Sequence, residues 1–214
     1  MPAVLEHTGL SLHGEPLLVV RDARAVRRGP GPRAAPIEIA GYLTRWGSWH
    51  RIEDPHEARM LGLGRGQRSF VESVARGAMA RTFAEHAGGA RRAKLLFQHG
   101  LHGSGDVGKK PLGAITDLGE DASGPFFRAT LFSDAAYVSD LTPAILGGQL
   151  QPSYAFTPVR GELRRRARES EHNPEGLPEV TVIEARVKEI SLVVHPADPT
   201  ASVRVVNHAV AQAA

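Results

Sequence analysis

Residues 140–156 read DLTPAILGGQLQPSYAF, and the reading of this stretch decides the fold. Its first half has helical character and stops hard; its second half is a strand carrying one serine, Ser153. Thr142 is placed to cap a helix begun at Pro143, where the missing N–H goes unneeded. Ala144, Ile145 and Leu146 continue that helix, and Gly147-Gly148 supplies the positive φ on which helices end. Beyond it Leu150, Pro152, Tyr154 and Phe156 are apolar or aromatic, and Gln151 and Ser153 alternate with them, a pattern suited to a pleated surface. A lone serine on a half-buried strand is usually a hydroxyl and nothing more. Ser153 gains interest only from its company.

The chain has 214 residues, 42% hydrophobic and 23% charged, which suits one globular domain with trimmings, or two small ones, around a sizeable core. It contains no cysteine, so disulfides, thiolate ligands and a thiolate nucleophile are excluded, and a reducing compartment is expected. No apolar run reaches membrane-spanning length, and the start MPAVLEHTGLSLHGEPLLVV lacks the basic-then-apolar order of a signal peptide. The expectation is a soluble cytoplasmic protein with no membrane partner. The formal charge is +3, from 26 basic and 23 acidic residues. Arginines cluster at Arg21, Arg24, Arg27 and Arg28, and again at Arg164, Arg165, Arg166 and Arg168. Aromatic residues do not interleave these clusters, so basic loops on a solvated face are favoured over a nucleic-acid surface.

Upstream, residues 1–36 have the composition of an arm and linker, with one possible strand at residues 17–20 and a Gly/Pro-rich stretch, GPGPRAAP, at residues 29–36. Ile37, Ile39, Tyr42 and Leu43 predict a strand with a bulge at Gly41, and Trp46 and Trp49 bracket a turn at Gly47. LGLGRG at residues 61–66 lacks the lysine and the strand-then-helix setting of a phosphate loop. Phe70, Val71, Val74, Ala75, Ala78 and Met79 fall at helical spacing, which predicts an amphipathic helix over residues 67–86. KLLFQH, residues 94–99, is an apolar strand ending in His99. His102 follows on a glycine-rich turn, but a His-x-x-His pair without further ligands does not make a metal site, and none is expected. PLGAIT (residues 111–116) and PFFRATLF (residues 125–132) form a hairpin around a turn-dense segment containing Glu120 and Asp121. Ser133-Asp134 then starts one or two helical turns before Pro143.

Downstream, residues 160–179 are charged, proline-punctuated and nearly free of large apolar side chains, which predicts a mobile surface loop. Residues 180–199, VTVIEARVKEISLVVHPADP, give one or two strands, and the tail from Thr200 is expected to fray. Six or seven mostly antiparallel strands with two or three helices make an α+β, mainly β protein. A closed or nearly closed barrel with flanking helices is the expected architecture, because closure removes exposed edges.

Four segments in this order carry a resemblance: LLFQHG (residues 95–100), PLGAITDLGEDASGPFFRATLF (residues 111–132), GGQLQPSYAF (residues 147–156) and VKEISLVVHPADPTA (residues 187–201). Together they resemble the prohead maturation proteases of tailed bacteriophages, and IAGYLTRWG near Trp46 is similar to that family's opening strand. The resemblance covers residues 37–201, with residues 1–36 as an arm and 202–214 as a tail. It implies a distant kinship with the herpesvirus assemblins, serine proteases on a helix-decorated β-barrel. On that resemblance Ser153 matches the nucleophile and His99 the general base. Glu189 matches the position of the assemblins' second histidine, where a carboxylate would hold the imidazole.

An ion pair with Lys188 or Arg186 is an equal reading of Glu189. Asp121 and Glu120 are alternative third members, and His195 is a further one. Two departures stand out: Gly100 follows the histidine where the family often has an acid, and Ala197 and Asp198 stand where the assemblins carry an arginine pair. The oxyanion donors therefore stay unassigned, with backbone N–H groups expected.

The implied function is a cofactor-independent serine endopeptidase of the host cytoplasm, inside the procapsid. It would cleave scaffold or the scaffold-like arm of the major capsid protein, and itself, acting as a homodimer or higher oligomer. Self-cleavage is expected at the chain ends or in residues 160–179. A catalytically silent capsid-assembly or scaffold protein and a basic nucleic-acid-binding barrel are the alternatives.

Overall fold

The computed structural model describes residues 6–10, 16–19, 36–64, 66–89, 93–100 and 109–207; His102 lies outside them. The chain divides into two compact units, residues 1–33 and 34–214. In the first, β1 (Glu6–Leu10) pairs antiparallel with β2 (Pro16–Val19).

The second unit is built on one nine-stranded sheet. Its members are β3 (Glu38–Tyr42), β4 (His50–Ile52), β5 (Phe70–Val74), β6 (Lys94–Phe97), β7 (Gly113–Glu120), β8 (Pro125–Leu131), β9 (Gln151–Arg164), β10 (Glu179–Val193) and β11 (Ser202–Asn207). Three helices decorate it among the described residues: α1 (Pro55–Met60), α2 (Ala80–Ala87) and α3 (Ala136–Leu146). No helix among those residues is long and apolar enough to cross a membrane.

The organising element is β10. Fifteen residues long and rich in Val and Ile, it buries Val180, Val182, Ala185, Val187, Ile190 and Leu192. One flank pairs antiparallel with β9 along its whole length. The other flank is divided: Glu179–Val182 pair parallel with β5, and Glu189–Leu192 pair parallel with β6. Between them Ala185 donates its N–H to the Ala78 carbonyl at 2.8 Å, and Thr82 of α2 bonds to both Ala185 and Val187.

This division corrects the barrel expectation. The sheet runs β11-β3-β8-β7-β6-β10-β5-β4 with β9 branching from β10, and it does not close. A strand that serves two neighbours on one flank forks the sheet instead of curling it. The edge at β4 is kept safe by being only three residues long. Pairing is mostly antiparallel, as expected, and the two parallel pairs of β10 make the sheet mixed.

Local readings differ from the sequence in instructive places. The predicted helix over residues 67–86 is β5, a sharp turn with Gly77 at φ 86°, and then the short α2. All five residues of β5 are buried, so a strand with two covered faces showed no alternation and imitated a helical stripe. α3 starts seven residues before Pro143 and carries that proline inside it, with Thr142 Oγ1 donating to the Val138 carbonyl at 2.9 Å instead of capping. Its end at Gly147-Gly148 is as expected, Gly148 having φ 66°.

Gly41 is not a bulge: β3 pairs with β8 and β11 around it, and a Cβ there would lie 1.9 Å from the Ser202 carbonyl oxygen. Residues 202–207, expected to fray, are the strand that makes that approach.

The segment read as a mobile loop is a built hairpin end. Arg160–Arg164 continue β9 opposite Glu179–Glu184 of β10. Asn173 is fully buried; its amide donates to the Leu177 carbonyl at 2.8 Å and to Glu179 at 3.2 Å, and its oxygen accepts from Leu177 N at 2.8 Å. His172 stacks on Trp49 with ring centroids 4.7 Å apart. Burial alone would raise the Glu179 carboxyl, but hydrogen bonds from Asn173 and His172 and the Arg164 guanidinium bring it below its ordinary value.

Candidate active site

The site forms where β6 ends against β10 and β9. Register sets it up. Ser191 of β10 lies opposite Ser153 of β9, and Glu189 opposite Ala155. In an antiparallel pair, opposed residues share a face, and alternate residues along each strand return to it. Ser153, Ala155, Glu189 and Ser191 therefore share one face, while Ile190, Leu192 and Tyr154 take the other. A bulge at Lys188, the extra residue between the pairs Val187–Phe156 and Glu189–Ala155, makes this possible. Without it Val187, which is buried with the core, and Glu189 would be forced onto the same face.

His99 arrives from the end of β6 by unusual backbone. Gln98, His99 and Gly100 have φ of 49°, 57° and 64°. Left-handed conformation costs about 1–2 kcal/mol for each non-glycine residue. The turn follows directly on β6 and delivers the imidazole beside β10. There the His99 Nδ1 lies 2.6 Å from Glu189 Oε1. The His99 backbone N–H donates to Ser191 Oγ at 3.1 Å, and Ser191 Oγ in turn donates to Glu189 Oε2. Glu189 and Ser191 are buried, and His99 is partly exposed.

Ser153 and His99 line one cavity of about 1010 Å³. The two residues border that space without a hydrogen bond between them. β9 borders the cavity over Pro152–Pro158, and among the described residues its only strand partner is β10. Among the described residues, one edge of β9 thus carries backbone donors and acceptors outside any ladder.

The far wall of the cavity is acidic. His50 sits between Glu72 (3.5 Å) and Asp198 (3.7 Å), all three buried. Burial and the neighbouring Glu72 and Asp54 push the Glu57 carboxyl up to about 7. The Tyr154 phenol is raised by burial and by the same group of carboxylates.

The sequence-derived candidates separate cleanly in space. Glu189 reaches His99. Asp121 instead accepts from the Tyr42 hydroxyl at 2.7 Å and from Ser123 N at 2.7 Å, in the β7–β8 turn. Glu120 accepts from Gly77 N at 2.8 Å and Met79 N at 3.1 Å, just ahead of α2. His195 lines the cavity on its exposed rim. Ala197 and Asp198 also line it. Sequence reasoning missed Ser191 and the His50–Glu72–Asp198 group. Ser191 had a readable signal, two residues from Glu189 on the same strand; the other three come from segments far apart in the chain. No group of metal-ligating side chains occurs among the described residues.

The sequence model of the family described as Caudovirus prohead serine protease matches residues 27–214. No curated protein matches the chain. The chain belongs to the Caudovirus prohead serine proteases, which makes it a capsid-maturation protease of a tailed phage in general terms.

Proposed function

We propose that this prohead protease is a serine endopeptidase with Ser153 as nucleophile, His99 as general base and Glu189 as the group that orients it. The 2.6 Å contact between His99 Nδ1 and Glu189 carries the reading. An ionised carboxylate accepts the Nδ1 proton, which leaves the Nε2 lone pair to take the proton of a serine hydroxyl in the shared cavity. Ser153 Oγ then bonds to the scissile carbonyl carbon, His99 passes its proton to the departing amine, and a water activated by the same imidazole hydrolyses the acyl-serine. The Ser153–His99 hydrogen bond forms when substrate fills the cavity, since such bonds are often long in the free enzyme.

The free edge of β9 suits an extended substrate strand, which main-chain hydrogen bonds would hold across Ser153. Scaffold, or the scaffold-like arm of the major capsid protein, meets that requirement for extended chain, and we assign cleavage to the interior of the procapsid in the host cytoplasm. Self-association as a homodimer or higher oligomer belongs to the same reading. Self-cleavage is assigned to the chain ends. Residues 160–179 stay a second candidate target: Asn173 is buried there, but the segment around it is largely exposed.

The test is intact mass of the concentrated protein beside Ser153→Ala and His99→Ala, alone and with the cognate capsid protein. Shortening at defined bonds by the wild type only, with rate losses of about 10⁴-fold or more in the variants, is expected. If wild type and variants behave alike with capsid protein present, the proposed chemistry is wrong.

A further inference from the structure

We propose that Ser191 is a positioning residue for this chemistry, one that fixes both the carboxylate and the backbone of the general base. The inference rests on the assignment of Ser153, His99 and Glu189 above.

The argument is one of donors and acceptors. A serine hydroxyl has one proton to give and two lone pairs to receive. The His99 backbone N–H can only donate, so Ser191 Oγ accepts at that 3.1 Å contact. The hydroxyl proton is then free for Glu189, whose Oε2 it meets. Glu189 Oε1 is engaged by His99 Nδ1 at 2.6 Å. The three contacts form a closed ring that leaves His99 through its backbone and returns through its side chain.

Each link has a purpose. The N–H bond pins the middle residue of a left-handed turn, at φ 57°, that would otherwise relax and carry the imidazole away. The bond to Oε2 stops the carboxylate rotating about its terminal torsion, which is broad for glutamate. Together they set the height and the plane of the ring that must reach Ser153. Ser191 is wholly buried, so water cannot replace it cheaply. The same geometry excludes Ser191 as a second nucleophile, since its proton and an acceptor site are already committed within the ring.

The experiment uses the full chain and a fluorophosphonate probe that labels an activated serine, with mass mapping of the labelled residue, alongside peptide kinetics across pH. Wild type is expected to label at Ser153. Ser191→Ala should label about 10- to 100-fold more slowly, with kcat reduced by a similar factor and KM nearly unchanged. Its acidic limb of kcat/KM should move to higher pH, because a carboxylate deprived of one donor holds the imidazolium more tightly. Ser191→Thr keeps the hydroxyl and should recover most of the rate. A merely structural serine would lower the melting temperature without moving the pH limb.

If Ser191→Ala does not fold, Ser191→Cys, of similar volume but a weak donor, supplies the same comparison. A folded Ala or Cys variant with wild-type labelling and an unmoved limb overturns the proposal and leaves the assignment of Ser153 standing. Failure of wild type to label at Ser153 instead removes that assignment, and this inference with it.

Discussion

Glu189 is the proposed partner of the general base, and its substitution separates charge from shape. Glu189→Gln preserves volume and one hydrogen bond to His99, but an amide cannot stabilise an imidazolium and can select the wrong tautomer. We expect kcat/KM to fall about 10²- to 10⁴-fold while the melting temperature changes little, measured by peptide hydrolysis beside thermal unfolding. Ser153, His99 and Glu189 could be nominated from the sequence because each sits in a segment with a family resemblance. The contact between His99 and Glu189, and their placement beside Ser153, could not be read there. Nothing in the string shows that a left-handed turn follows β6, or that a bulge at Lys188 turns Glu189 toward Ser153's face. Both are backbone geometries that the surrounding sheet imposes on ordinary residue types.

At the scale of elements, the hairpin β7–β8 and the glycine stop of α3 follow from local turn chemistry, and both were readable. The end of the β9–β10 hairpin was not, since its charged and proline-rich composition describes only its solvent face. What orders it includes an inward side chain, Asn173, bonded to both Leu177 and Glu179. Asn173→Ala removes three hydrogen bonds from a buried position and should cost about 1–3 kcal/mol, read from urea denaturation. The same substitution should speed cleavage within residues 165–178 by added trypsin relative to the wild type. β5 teaches the complementary lesson: burial on both faces erased the alternation that marks a strand, and only pairing with β4 and β10 reveals it.

For the molecule as a whole, stability responds to pH through the acidic wall of the cavity. Glu57 is raised from its ordinary 4.5 to about 7, first by burial and then by Glu72 and Asp54. The folded state therefore holds a proton that the unfolded state has already released between those pH values. By linkage, this contribution is complete below about pH 4.5 and is lost as pH climbs to about 7. Melting temperatures of wild type and Glu57→Gln, taken at intervals from pH 4 to 8, should show the wild type losing ground to the variant across that window and running parallel above it. No reading of the sequence alone pairs Glu57 with Glu72, because α1 and β5 meet only in the folded sheet. The open sheet was equally hidden: strand count and alternation are the same for a barrel and for a fork, and what decides between them is how many neighbours one long strand accepts.

That strand has a mechanical consequence. β10 is bound like the spine of a book, with β5 and β4 as one leaf, β6 through β11 as the other, and β9 stitched along the full length of its back. The stitching is the strand that carries Ser153, joined to the spine along one edge. The candidate nucleophile is thus sewn to the seam itself, opposite Ser191 of the spine, and not to either leaf.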